Sequence, residues 1–123
     1  MRAVHSKDTK PELAVRKIAH DMGYRYRLHV ESLPGKPDLV FPRTHKVIFV
    51  HGCFWHRHRG CRYATCPKTR TEFWQDKFDA NVLRDRRTVK TLKKLGWAAM
   101  TIWQCQLKDP IRLAGRIDEF LSS

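Results

Sequence analysis

Apolar and polar positions change rhythm several times along this chain, and each change marks an element. From Pro11 to Met22, the residues Ala14, Ile18 and Met22 recur at four-residue spacing, the period that gathers side chains on one face of a helix. Pro11 suits a first turn, Glu12 favours the positive helix end, and Gly23 supplies the stop. Tyr24-Arg25-Tyr26-Arg27-Leu28-His29-Val30 then alternates large apolar and basic residues, the period of a half-buried strand. Leu33-Pro34-Gly35-Lys36-Pro37 reads as a turn. Asp38-Leu39-Val40-Phe41 and Lys46-Val47-Ile48-Phe49-Val50 are short apolar runs separated by Pro42-Arg43-Thr44-His45, which predicts two strands joined as a hairpin.

Farther along, Thr69-x-x-Glu72 has the form of a capping box and opens a long polar helix that runs to about Leu95, with Gly96 as its stop. Trp97 to Trp103 is another apolar run of strand length. The closing helix spans Ile111 to Leu121, carries Ile111, Leu113, Ile117, Phe120 and Leu121, and has Pro110 where a first turn accepts it. The order α, β, β, β, long α, β, α predicts an α/β architecture, a mixed sheet flanked by helices. There is no internal repeat and no low-complexity linker. A chain of 123 residues is too short for two ordinary domains, so residues 1–123 are expected to form a single domain.

Composition adds a partner class. With 41% of its residues apolar the chain can build a core, yet 25 Lys and Arg against 12 Asp and Glu leave a net charge of +13. Such an excess suits polyanions: nucleic acid first, an anionic membrane surface second. No stretch approaches the roughly 18 consecutive apolar residues of a spanning helix, and Met1-Arg2-Ala3-Val4-His5-Ser6 leads into charge, not into an apolar signal core. The expectation is a soluble cytoplasmic protein with no membrane partner.

The candidate chemistry is concentrated in His51-Gly52-Cys53-Phe54-Trp55-His56-Arg57-His58-Arg59-Gly60-Cys61. Clustered Cys and His in an intracellular chain point to metal more than to disulfide, and zinc prefers four such ligands in a tetrahedron. Cys53, His58 and Cys61 supply three from one loop, with four and two residues intervening. Cys105, just after the last predicted strand, or Cys66, within the loop region, supplies the fourth. His51 and His56 are left over; near neutral pH they can act as general acid and base, or serve as solvated loop residues. Asp38 leads an apolar strand, where a carboxylate either holds magnesium through oxygen or caps a turn. Asp85, on the long helix, either pairs with Arg86 or Arg87 or orients a histidine. Phe54 and Trp55 stand beside Arg57, Arg59 and Arg62, suited to wedge between bases; Trp74 is equally a core residue or a wedge.

Leu33-Pro34-Gly35-Lys36-Pro37-Asp38, Val50-His51-Gly52-Cys53-Phe54-Trp55-His56, Thr71-Glu72-Phe73-Trp74 and Asn81-Val82-Leu83-Arg84-Asp85-Arg86-Arg87, in this order, resemble the Vsr family of very short patch repair endonucleases. The resemblance runs from Met1 to about Leu107, and the HGCFWH string is its specific part. It implies a restriction-endonuclease-like fold with a structural zinc loop. The implied activity is magnesium-dependent nicking of one DNA strand 5′ to the thymine of a T:G mismatch, the lesion left by deaminated 5-methylcytosine. By the same resemblance, Asp38 and the backbone carbonyl of Val50 contact magnesium. His56, oriented by Asp85, becomes the general base or proton shuttle, with His51 beside the scissile phosphate and Glu12 supporting the site. Cys53, His58, Cys61 and Cys105 become the zinc ligands. Phe54, Trp55 and Trp74 enter the base stack, and Arg57 and Asn81 join the DNA-binding surface. The partner implied is double-stranded DNA bound by a monomer, in the nucleoid.

The superfamily usually follows its first Asp with Glu-x-Lys on the next strand, but here that strand reads Ile48-Phe49-Val50. A backbone carbonyl can hold magnesium but cannot titrate, so proton transfer falls to His56 or His51. Family members also usually carry a further segment ahead of the stretch resembling Met1-Arg2-Ala3-Val4, which clamps DNA from the minor-groove side; a shortened clamp is expected here. Cys66 lies outside the implied ligand set and is expected to be a free thiol. Two other functions fit part of the pattern: a zinc-stabilised module that binds distorted duplexes without cutting, and a restriction- or defence-type nuclease without mismatch specificity.

Overall fold

The computed structural model describes residues 9–28, 30–53, 56, 58, 61 and 68–123. Helix α1 spans Lys10–Asp21, strands β1 and β2 span Leu39–Phe41 and Lys46–His51, and helix α2 spans Thr71–Lys94. Strand β3 (Ala98–Trp103), a 3-10 turn (Gln104–Lys108) and helix α3 (Pro110–Ser122) follow. The sheet has the order β1-β2-β3. β1 and β2 form the expected hairpin, antiparallel with Leu39 opposite Ile48, whereas β2 and β3 run parallel from the Lys46–Ala98 pair to the His51–Trp103 pair. Parallel neighbours need a long crossover, which α2 provides.

Side chains alternate across the strands, so each face of this mixed sheet acquires its own core. Leu39, Phe41, Ile48 and Ile102 pack with Val15 and Ala19 of α1 and with Leu113, Ile117 and Leu121 of α3. On the other face Val40, Val47 and Phe49 pack with Leu92 of α2, joined by Trp97 and Ala99. Both faces are therefore covered, which is why β1 and β2 read as continuous apolar runs and not as alternating ones. Lys46, only 7% exposed, sits where β2 begins. Its ammonium donates to the carbonyls of Phe120 and Ser123, each at 2.7 Å, and so closes the end of α3. Among the described residues no helix is long and apolar enough to cross a membrane.

Two local expectations fail. Among the described residues of the stretch 24–30 no strand forms: Arg27 and Val40 exchange a pair of backbone hydrogen bonds as an isolated bridge, and no described neighbour continues it. A strand exists only as far as its partner does, and β1 is three residues long. The alternation survives as burial, with Tyr24, Tyr26 and Leu28 half-buried and Arg25 and Arg27 exposed. The Thr69–Glu72 capping box is also absent. Arg70, in the left-handed region at φ +54, turns the chain into α2 as its N-cap without a side-chain cap, and this leaves Thr69 outside the first turn. The stops at Gly23 and Gly96 lie where expected, at φ +90 and +88.

Candidate active site and metal centre

Immediately after β2 the chain curls on itself. His56 N–H donates to the Gly52 carbonyl, His58 N–H to Cys53 and Cys61 N–H to His58, all at 3.0 to 3.2 Å. These successive turns bring the ligand atoms of Cys53, His58 and Cys61 together, and the 3-10 turn after β3 brings Cys105; the four atoms lie within 4.8 Å of one another. His58 Nδ1 is 3.7 Å from Cys53 Sγ and 3.4 Å from Cys105 Sγ. A tetrahedral zinc with ordinary Zn–S and Zn–N lengths requires an S···N edge of about 3.6 Å, so the four residues fit such an ion. Burial pushes the Cys53 thiol up to about 11, a cost that a divalent cation removes by stabilising the thiolate. Of the two cysteines expected as a fourth ligand, Cys105 lies in this cluster, and Cys66 lies outside the described residues.

Loop curvature sends His56 the opposite way from His58. His56 Nδ1 is 2.7 Å from Asp85 Oδ2, and its ring stacks on His51 at 3.8 Å between centroids and 8° between planes. His51 ends β2, and its Nδ1 lies 4.0 Å from the same Asp85 oxygen. Asp85 therefore pairs with histidine and not with Arg86 or Arg87, both of which are exposed. Its placement follows from α2: Phe78 and Leu92, the buried residues of this helix, stand one heptad before and after Asp85. Seven residues make nearly two turns, so the carboxylate occupies the inward stripe. That spacing was the legible signal separating an inward Asp85 from a solvated one.

Burial, reinforced by the adjoining His56, pushes the His51 pKa down to about 4, against the pull of Asp85. His51 is thus neutral at pH 7. The imidazole that touches the Asp85 carboxylate directly is that of His56.

Asp38 lies at the start of β1, beside the end of β2. Its Oδ2 accepts the Val50 N–H at 2.6 Å, which fixes the carboxylate next to the strand that carries His51. Desolvation raises the Asp38 pKa to about 7, opposed by the Val50 N–H and reinforced by the carboxylate of Glu12. Glu12, 5% exposed, approaches from α1, where Arg16 Nη2 donates to its Oε2 at 3.4 Å. Two carboxylates held together out of water form a donor set of hard oxygens that suits a magnesium ion. Arg16 was not singled out from the sequence; an arginine one turn after an inward-facing glutamate was the available clue.

The remaining expected residues are less concentrated. Trp74 is half-buried, packed on the edge of Phe73 and, at 6.0 Å, on Phe78. Phe73 is 41% exposed and carries the Arg70 guanidinium 4.3 Å above its ring. Asn81 accepts from Arg84 at 3.0 Å. Phe54, Trp55 and Arg57 lie outside the described residues.

A family model described as DNA mismatch endonuclease Vsr matches residues 1–62. The type II nicking enzyme V.XorIIP of Xanthomonas oryzae pv. oryzae is 49% identical over 98% of this chain and 88% of its own length. The DNA mismatch endonuclease Vsr of Escherichia coli is 44% identical over 88% of this chain and 69% of its own length. The catalytic domain of the homing endonuclease I-Bth0305I superposes with a TM-score of 0.63, covering 92% of this chain and 94% of that one. Its 23% identity makes it a likeness of fold.

Proposed function

The chain belongs to the Vsr family of DNA mismatch endonucleases and is a DNA nicking endonuclease, and from that premise we propose that it cuts one strand 5′ to the thymine of a T:G mismatch with magnesium at Asp38. The observation that carries the reading is the grouping of His51, His56 and Asp85, from the end of β2, the loop after it and α2, with their ligand atoms within 4.8 Å of one another, while the Asp38 carboxylate is held by the N–H of Val50, the residue before His51. A protein that only binds DNA has no use for a carboxylate-paired histidine that follows a strand holding a desolvated acid.

In this reading Asp38, the Val50 carbonyl and Glu12 hold magnesium, and Arg16 holds Glu12 in place. Bound there, magnesium would orient the phosphodiester and stabilise the charge that develops during attack. The Asp85 carboxylate accepts the His56 Nδ1 proton and leaves Nε2 as the base that takes a proton from the attacking water. Asp85 then stabilises the imidazolium. His51, neutral, offers a hydrogen bond to the phosphate without adding charge. Cys53, His58, Cys61 and Cys105 would hold zinc, whose bonds would tie the loop after β2 to the 3-10 turn after β3. Phe54, Trp55 and Trp74 enter the stack at the mismatch, with Arg57 and Asn81 on the DNA surface. Residues 1–123 act as one endonuclease domain, a monomer on duplex DNA.

The test compares T:G and matched duplexes incubated with magnesium, using the native chain and Asp38→Ala. The native chain is expected to nick the T:G duplex selectively and Asp38→Ala to lose at least about a hundredfold in rate while remaining folded. Equal nicking of the matched duplex would indicate a nuclease without mismatch specificity. Full activity in Asp38→Ala would remove Asp38 from the metal site.

A further inference from the structure

We propose that Trp103 is a positioning residue for the His51–His56 pair, holding the two imidazoles through ring contacts that start at the cysteine–histidine metal centre. Trp103 ends β3 and is the register partner of His51, the last pair of the parallel ladder. One face of its indole lies flat on the His58 imidazole, 4.4 Å between centroids and 8° between planes. It also meets the His51 ring edge-on, at 5.3 Å and 75°. His51 in turn lies flat on His56, which is held by Asp85. The contacts therefore run without a break from a metal ligand to the residue read as the base.

Hydrogen bonding does not hold His51 in place at its inner nitrogen: Nδ1 is buried and has no hydrogen-bond partner. Ring packing against Trp103 and His56 is left to set the orientation of this imidazole. The backbone at Trp103 is fixed: its main-chain N–H donates to the Gln106 side-chain oxygen at 2.8 Å, and Cys105, two residues on, belongs to the Cys/His cluster. An indole in contact with both imidazoles transmits the position of one to the other because close-packed aromatics do not slide freely.

The proposal rests on the nicking activity proposed above, and its test separates the two. Full-length Trp103→Leu, Trp103→Phe and native protein are compared for zinc content by elemental analysis, for kcat and KM on the T:G duplex with magnesium, and for the downfield proton shared by His56 and Asp85 in NMR spectra. All three are expected to hold one zinc ion per chain. Trp103→Leu is expected to lose kcat roughly 10- to 100-fold with KM little changed and to lose the downfield resonance, while Trp103→Phe restores both, because misplacing a reacting group by about an ångström costs that order of rate. A Leu variant with native kcat, or one that keeps the downfield resonance, overturns the proposal. So does loss of zinc from the Leu variant, since Trp103 would then serve the metal centre itself. Native protein that fails to nick defeats the nicking reading alone, because the resonance still reports whether Trp103 holds the pair.

Discussion

Asp38 and His51 perturb stability in opposite senses, and their difference is measurable. The Asp38 pKa rises in the folded state to about 7 from 3.8, so between these values the folded chain binds more protons than the unfolded one and stability falls as pH rises. The His51 pKa falls to about 4 from 6.5, so in that window the unfolded chain binds more protons and stability increases with pH. In magnesium-free buffer the two slopes largely cancel from pH 4 to 6.5. Asp38→Asn keeps an acceptor for the Val50 N–H but removes the titration. Its Tm is expected to climb more steeply than that of the native chain across this window and to exceed it at pH 7; parallel Tm profiles would show that Asp38 is not held out of water. The strand-leading position of Asp38 is visible in the sequence. Its raised pKa is not, because it depends on burial first and then on Glu12, brought from 26 residues earlier by the packing of α1.

Among elements, the turn before β1 shows how a short sequence aims a functional group. Gly35 adopts φ +75, and a Cβ added there would lie 2.3 Å from Thr88 Cγ2 of α2. Thr88 is one turn beyond Asp85, so the turn that delivers Asp38 rests on the same helix that delivers the partner of His56. Gly35→Ala must strain the left-handed backbone and push the turn off α2. A loss of about 1–3 kcal/mol in unfolding free energy is expected, with nicking reduced more than for an exposed control such as Gly115→Ala, where a Cβ meets nothing. Thermal melts and nicking rates of the two variants check it; equal stabilities would mean that α2 does not constrain the turn. The Pro-Gly turn is readable from residue types, but the pressure of Thr88 on Gly35 arises only once α2 crosses the sheet. The same distinction explains residues 24–30. Their alternation correctly indicated burial, whereas strand status required a longer partner than β1 offers.

For the whole molecule, the +13 charge is arranged and not merely abundant. Among the described residues, the acids that escape full exposure are Glu12, Asp38 and Asp85, the three at the candidate active site. The cations Arg84, Arg86, Arg87, Lys90, Lys93 and Lys94 are exposed along α2, on whose inward stripe Asp85 lies. If five phosphates are neutralised, the affinity for a T:G duplex should fall with salt at a log–log slope of roughly −4 to −5. Binding titrations between 50 and 200 mM salt, the range over which such losses become large, measure this directly, and a nearly flat response would argue against a DNA substrate. The periodic runs, the basic balance and the three clustered Cys and His residues of one loop follow from neighbours in the chain, where spacing and residue type act over a few residues. The fourth member of that cluster and the carboxylate partner were brought in by folding: Cys105 reaches His58 across 47 residues and Asp85 reaches His56 across 29. Such meetings depend on the β2–β3 register and on the crossing of α2, and local pattern encodes neither.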